Sequence, residues 1–228
     1  MSAPVSDHPT IDNAVLSARG LTRAFPHPDG PLPVLRGVDL DVAPGELVTV
    51  SGRSGSGKSA LFALLCGFDK PDTGTVTVCG TVLRAAPAWS DCAVLPQALG
   101  LAAELTLQEN AALPLRLTGQ SDVEDRVADV LGELGIGHLG DRYPTEVSYG
   151  QQQRAALARA AVARPSVLLA DEPTAHLDHG SVPAVLGVLR RVADAGTAVL
   201  IATHHDQVHR IADRRLSLVE GRIDYSAT

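Results

Sequence analysis

An α/β fold with a mostly parallel sheet is predicted by three observations. A strand-like run, 46–51, leads into the glycine- and serine-rich stretch 52–59 around Lys58, and an apolar helical run, 60–66, follows it. In that order they make a phosphate-binding loop, because small residues let the backbone wrap so that several N–H groups converge on phosphate oxygens at the positive end of the next helix. Two further runs, 167–172 and 198–202, are continuously apolar until they end in polar residues, as expected of parallel strands buried on both faces. The third observation is a change to helical spacing over 101–143, which reads as an inserted helical subdomain.

The elements follow in order. Residues 1–13 are polar, without the basic start and apolar stretch of a secretory signal, and are expected to form a flexible tail. Residues 15–25 and 38–42 alternate as strands, separated by the turn cluster His27-Pro28-Asp29-Gly30-Pro31, and 43–46 turn the chain into the strand before the loop. This is an N-terminal antiparallel β subdomain. After the loop helix come a turn at 67–74, a strand at 75–79 and a short apolar strand at 93–96 that ends at Gln97. The helical segments are 107–117 and 122–134, with Asp122, Glu124, Asp125, Asp129 and Glu133 on a solvated acidic face. Ser148 is an N-cap candidate for a long Ala/Arg helix reaching about residue 163. A loop at 175–178, a helix at 182–195, the strand at 198–202 and closing strands at 216–219 and 221–223 complete one domain over 14–228, with its core in 14–97 and 146–228 and the helical subdomain in 98–145.

Bulk properties exclude several classes. A formal charge of −7 over 228 residues speaks against a broad nucleic-acid footprint. The basic pairs Arg190-Arg191 and Arg214-Arg215 read as solvated helix or strand ends. No apolar run approaches the roughly 20 residues needed to cross a bilayer. Cys66, Cys79 and Cys92 contain no Cys-x-x-Cys pair and are expected to be buried thiols in a reducing cytoplasm.

The polar residues at the strand ends carry the chemistry. Lys58, one of only two lysines, is placed to reach β- and γ-phosphates, and the Ser59 hydroxyl to hold Mg²⁺. Asp171 is a second Mg²⁺ ligand, acting through water, and Glu172 is placed to polarise the attacking water. Gln97 offers an amide to the metal or to water. A histidine after the 198–202 strand can donate to a γ-phosphate, and spacing alone leaves His204 and His205 both open. Phe25, at the edge of the antiparallel sheet, is either a core residue or an aromatic that stacks on a purine.

Together these pieces resemble the ATP-binding subunit of an ABC transporter over residues 15–225. The resemblance implies a P-loop NTPase core and makes ATP and Mg²⁺ the ligands. Gly52, Arg53, Ser54, Gly55, Ser56, Gly57, Lys58, Ser59 and Ala60 become the phosphate loop, Gln97 the Q-loop, residues 147–151 the signature, 175–178 the D-loop, His204 the switch histidine and Phe25 the adenine-stacking aromatic. Ser148, Gly150 and Gln151 match the positions that face the γ-phosphate held by a second copy of the chain or a paralogous ATPase subunit. The family works with an integral-membrane permease on the inner face of the cell membrane, and no nucleic acid is implied.

Leu169 to Thr174, with Glu109 to Leu115, resemble the lipoprotein-release, macrolide-export and cell-division group, which implies export or, as the alternative, regulation of a cell-wall or division process without solute transport. Val147 and Tyr149 depart from the usual Leu-Ser-Gly-Gly-Gln, and Ala60 stands where threonine is usual.

Overall fold

The computed structural model describes residues 11–225. The expected tail at 1–13 lies outside the described residues as far as residue 10, and at its inner end the Ile11 N–H donates to the Asp41 carboxylate.

Two sheets organise the chain. β1 (Leu16–Phe25), β2 (Leu32–Val42), β4 (Thr73–Val78) and β5 (Thr81–Val82) form an antiparallel sheet in the order β2-β1-β4-β5. β3 (Leu47–Ser51), β6 (Cys92–Leu95), β7 (Val167–Asp171), β8 (Ala198–Ala202), β9 (Arg214–Val219) and β10 (Arg222–Asp224) form the second, in the order β10-β9-β3-β8-β7-β6. All of its pairings are parallel except that of β10 with β9.

β3, β7 and β8 sit inside this sheet, and their side chains divide by alternation between two cores. Val48, Val50, Val167, Leu169, Leu200 and Ala202 join the core shared with the antiparallel sheet and α1 (Lys58–Leu65). Leu47, Leu168, Ala170, Val199 and Ile201 join the core shared with α2 (Leu107–Leu117), α3 (Val123–Glu133), α4 (Tyr149–Val162) and α5 (Val182–Asp194). Burial on both faces explains why these strands read as unbroken apolar runs. The short α6 (Asp206–His209) follows β8.

Register decides where the site falls. Val50 lies opposite Ala202, Ala202 opposite Asp171, and Ala170 opposite Leu95. The carboxyl ends of β3, β8, β7 and β6 are therefore level, and the residues that follow them gather along one edge, as in other open parallel sheets that bind ligands.

The helical segment is anchored from within. Thr106 and Glu109 cap α2 reciprocally. Asn110, fully buried, accepts from Ala102 N–H at 2.8 Å and donates to the carbonyls of Ala102 and Leu105 at 3.0 and 2.9 Å. It thereby satisfies the loop that leads from β6 into α2.

Four readings change. β2 begins at Leu32, six residues before the alternation at Val38, because pairing with β1 extends its arm through Pro33 and Phe25↔Leu32. Cys79 is exposed, in a left-handed conformation (φ 50°) at the turn between β4 and β5, while Cys66 and Cys92 are buried as expected. Burial pushes the thiols of Cys66 and Cys92 up from their ordinary range. Arg214 is no solvated end: its Nε lies 2.8 Å from Glu46, and both side chains are largely buried. Arg190 likewise bridges Asp194 and Asp213 at 2.8 and 2.9 Å, and Asp213 accepts from Leu47 N–H, so that α5 is tied to β3. The acidic face on α3 is exposed and partly paired, with Glu133 held by Arg191 at 2.7 Å.

Asn110→Ala leaves the part-buried Leu105 carbonyl and the Ala102 N–H without their partner. It is expected to lower unfolding stability by about 2 kcal/mol or more, measured as the shift of the urea midpoint at unchanged slope.

Candidate active site

Tight packing builds the loop between β3 and α1. A Cβ at Gly52 would stand 2.5 Å from Ser56 Oγ and 2.6 Å from the Leu218 carbonyl, so no side chain fits there. Gly57 has φ 105°, a region that favours glycine, and a Cβ there would press Val34 and Leu35 of β2 at 3.0 Å. The antiparallel sheet thus holds the loop from one side.

The start of α1 has no side-chain cap, in contrast to α2. Among the described residues, the main-chain N–H groups of Gly55, Gly57, Lys58, Ser59 and Ala60 find no acceptor. Ser56 Oγ is buried without a partner as well. Such a set of unmatched donors at a helix N-terminus fits an anionic ligand. Lys58 Nζ folds back over the loop, donating to Gly52 O at 2.7 Å and Arg53 O at 3.4 Å. Arg53, Ser54 and Ser59 are exposed, and Ala60 packs on the core beneath.

The two acids stand at the end of β7. Asp171 has its carboxyl pushed above the usual range, first by burial and then by the neighbouring Glu172 charge, while Lys58 pulls it the other way. Glu172 takes a left-handed conformation (φ 49°) that costs about 1–3 kcal/mol in a non-glycine residue unless its surroundings enforce it. They do: its N–H donates to Ala202 O at 2.9 Å, and Gln153 Nε2, from inside α4, donates to its carbonyl at 2.8 Å. The Thr203 hydroxyl donates to Glu172 Oε2 at 3.1 Å, and His204 Nδ1 lies 2.7 Å from Oε1. Of the two adjacent histidines, His204 is the one paired with Glu172. The ring of His205 packs against that of His204 with centroids 4.2 Å apart.

The Ser148 segment is a second uncovered helix start. Ser148 and Gln151 form a capping box, which leaves the N–H groups of Tyr149 and Gly150 without acceptors among the described residues. Gly150 abuts the 175–178 loop, where a Cβ would come within 2.8 Å of His176 O. The Tyr149 hydroxyl donates to the main-chain carbonyl of Gln97 at 2.9 Å, and its ring meets His176 edge-on at 4.6 Å.

One chain therefore brings the predicted residues together in two groups. Lys58, Asp171, Glu172 and His204 belong to the first, while Gln97 is tied to Ser148, Gly150 and Gln151 in the second. No hydrogen bond or ion pair among the described residues joins 148–151 to the 52–60 loop. Phe25 is partly exposed at the β1–β2 hairpin, with the Arg23 guanidinium 4.9 Å from its ring centre. Sequence reasoning missed Gln153 and Thr203, which position Glu172. Neither stands in a periodic or motif-like place that would have marked it.

Comparison with known proteins agrees with this geometry. The ABC transporter family profile matches residues 35–175. The lipoprotein-releasing system ATP-binding protein LolD 2 of Caulobacter vibrioides is 40% identical, across 94% of this chain and 98% of its own length. The methionine import ATP-binding protein MetN of Rhodospirillum rubrum is 37% identical, across 92% of this chain but 62% of its own length. Among solved structures, the ATP-binding cassette MJ0796, in a dimeric post-hydrolysis state bound to ADP and Pi, superposes with a TM-score of 0.85 at 26% identity, covering 92% of this chain and 96% of that one. On the matched profile, the full-length relatives and the loop geometry together, this chain belongs to the ABC transporter family as one of its ATP-binding subunits.

Proposed function

We propose that the chain is an ATPase that closes head-to-tail with a second cassette around ATP, and that this closure drives a separate membrane permease of the lipoprotein-releasing type. The observation that carries the reading is the division of unmatched donors between two places. The 52–60 loop and the 148–150 helix start both present N–H groups without acceptors, and the chain does not bring them to each other. A triphosphate held between two copies supplies the acceptor oxygens that both places lack.

The chemistry assigned to each residue follows from its surroundings. The loop amides and Lys58 bind the phosphates and take up charge on the leaving β-phosphate oxygen. Ser59, Asp171 and Gln97 would each offer an oxygen donor suited to Mg²⁺, which when bound offsets phosphate charge. Glu172 orients the attacking water and accepts its proton. With Nδ1 of His204 engaged by Glu172, Nε2 is the ring atom left to face the γ-phosphate. Ser148, Gly150 and Gln151 form the wall offered to the nucleotide of the mate, and Phe25 offers its free face to the adenine.

The permease contact is placed beside Gln97. There, an apolar groove of about 360 Å³ is lined by Phe68, Trp89, Pro96, Gly100 and Arg159. Phe68 is 67% exposed, while the buried Arg159 guanidinium holds the chain after Gln97 by donating to Leu99 O and Gly100 O at 2.7 and 2.6 Å. A short amphipathic helix from the permease fits this groove and touches the segment that responds to nucleotide. No helix among the described residues is long and apolar enough to cross a membrane. The likeness to LolD supports a location on the inner face of the cell membrane, held there by the permease. The near-complete overlap with LolD, against 62% of MetN, supports the lipoprotein-releasing assignment over import.

Three measurements test the reading. Glu172→Gln is expected to bind ATP as the parent does, to lose at least a hundredfold in steady-state hydrolysis, and to form a dimer on gel filtration only with ATP. A monomer under those conditions rejects the sandwich.

Asp171→Asn is expected to abolish Mg²⁺-dependent nucleotide binding yet raise the melting temperature of the nucleotide-free chain. The carboxyl is more easily protonated when folded, so its charge opposes folding at neutral pH, and this penalty vanishes as the pH falls through its raised pKa. Solvent screening at a half-open site keeps the gain to roughly 1 kcal/mol or less. Scanning calorimetry at neutral and acid pH reads both the gain and its disappearance.

Phe68→Asp is expected to lose co-purification with the permease while leaving nucleotide binding by the isolated chain unchanged.

A further inference from the structure

Tyr149 takes the place of a glycine in the usual signature, and nothing in the phosphate chemistry calls for its side chain. Its contacts nevertheless join three segments that are distant in sequence. The hydroxyl donates to Gln97 O, 52 residues away, at 2.9 Å, and the ring packs edge-on against His176 with an interplanar angle of 69°. On the other side of the same helix start, Gly150 lies directly against His176 O. The bond to Gln97 uses the main-chain carbonyl and leaves the Gln97 side chain, which has no partner among the described residues, free for other work.

A tyrosine is well suited to such a link. Two torsions place its hydroxyl, so little side-chain freedom is lost, and the apolar ring is steadied by the imidazole it meets. Tyr149 is also the first residue of α4, immediately after the Ser148 cap. Any shift of the main chain at Gln97 is therefore passed to the turn that holds the Ser148 hydroxyl and the unmatched N–H groups of Tyr149 and Gly150.

We propose that Tyr149 is a positioning residue that latches the Gln97 segment to the start of α4, so that the residue sensing nucleotide in one half-site and the surface offered to the other half-site move as a single body. The inference rests on the head-to-tail reading above and adds to it a route between the two halves. With glycine at 149 the side-chain connection is absent. What remains between the segments is the packing of the helices behind them.

The test compares Glu172→Gln with Glu172→Gln/Tyr149→Phe. The second change removes one oxygen and keeps the ring against His176. The ATP concentration at half-maximal dimer formation, read by analytical ultracentrifugation, is expected to rise about fivefold, the worth of one hydrogen bond. ATP affinity at a protein concentration too low for dimerisation is expected to stay unchanged. Equal dimerisation midpoints, or an equal loss in monomer affinity, overturn the proposal.

A second readout separates this inference from the sandwich itself. In the monomer, Tyr149→Phe is expected to speed amide hydrogen exchange over residues 97–100 and 149–151 together. If Glu172→Gln alone stays monomeric, the dimer reading fails, and the latch stands or falls on exchange: unchanged rates in both segments overturn it.

Discussion

The parallel register of β3, β8, β7 and β6 is the constraint on which the site depends. Because Val50, Ala202 and Asp171 lie level, four chain segments leave the sheet at the same height. A slip of one residue in any pair would exchange its two faces and send the apolar set of one core into the other. The two separate cores therefore guard the register, and the register in turn sets the distance between the acids and the phosphate loop. Glu172 shows the result most directly. Its N–H is fixed by β8 through Ala202, its carbonyl by α4 through Gln153, and its carboxylate by Thr203 and His204. Hydrogen bonds from three elements hold one residue in a backbone conformation it would not choose alone.

A different principle governs the donors. In α2 the first turn is satisfied locally, by Thr106 and Glu109. α1 lacks such a cap, and α4 has one that spares two of its amides. These are the two helix starts where the family likeness places phosphate. Leaving donors unmatched costs stability in the free chain, and that cost is recovered only when an anion arrives. Asp171 carries a related cost in charge, since burial and the neighbouring Glu172 both disfavour its ionised form.

Much of this was legible in the sequence, and the exceptions have a common cause. β3, β7 and β8 were readable because burial on both faces leaves an unbroken apolar run, and the phosphate loop because glycine and a lone lysine follow a strand. The expected sheet, helical segment and strand-end chemistry came from patterns within about ten residues of each residue in question. What escaped depends on partners far along the chain. Arg214 looked solvated until Glu46 was brought beside it by β9 pairing with β3. The start of β2 was hidden because its first residues are held by β1 rather than by their own alternation. Spacing alone left His204 and His205 open, the family resemblance pointed to His204, and the fold pairs His204 with Glu172, 32 residues earlier. The Tyr149 contact with Gln97 has no local signature at all.

The position of Cys79 has a practical side. Cys66 and Cys92 are enclosed, and burial keeps their sulfhydryls protonated and unreactive, whereas Cys79 sits in the open at the tip of the β4–β5 turn. A maleimide dye or nitroxide added to the unaltered chain would attach at this one place. Since the turn belongs to the antiparallel sheet, a probe there and its twin in a second cassette would report, by resonance transfer or dipolar coupling, how the two subunits approach during a turnover, with no engineered residue required.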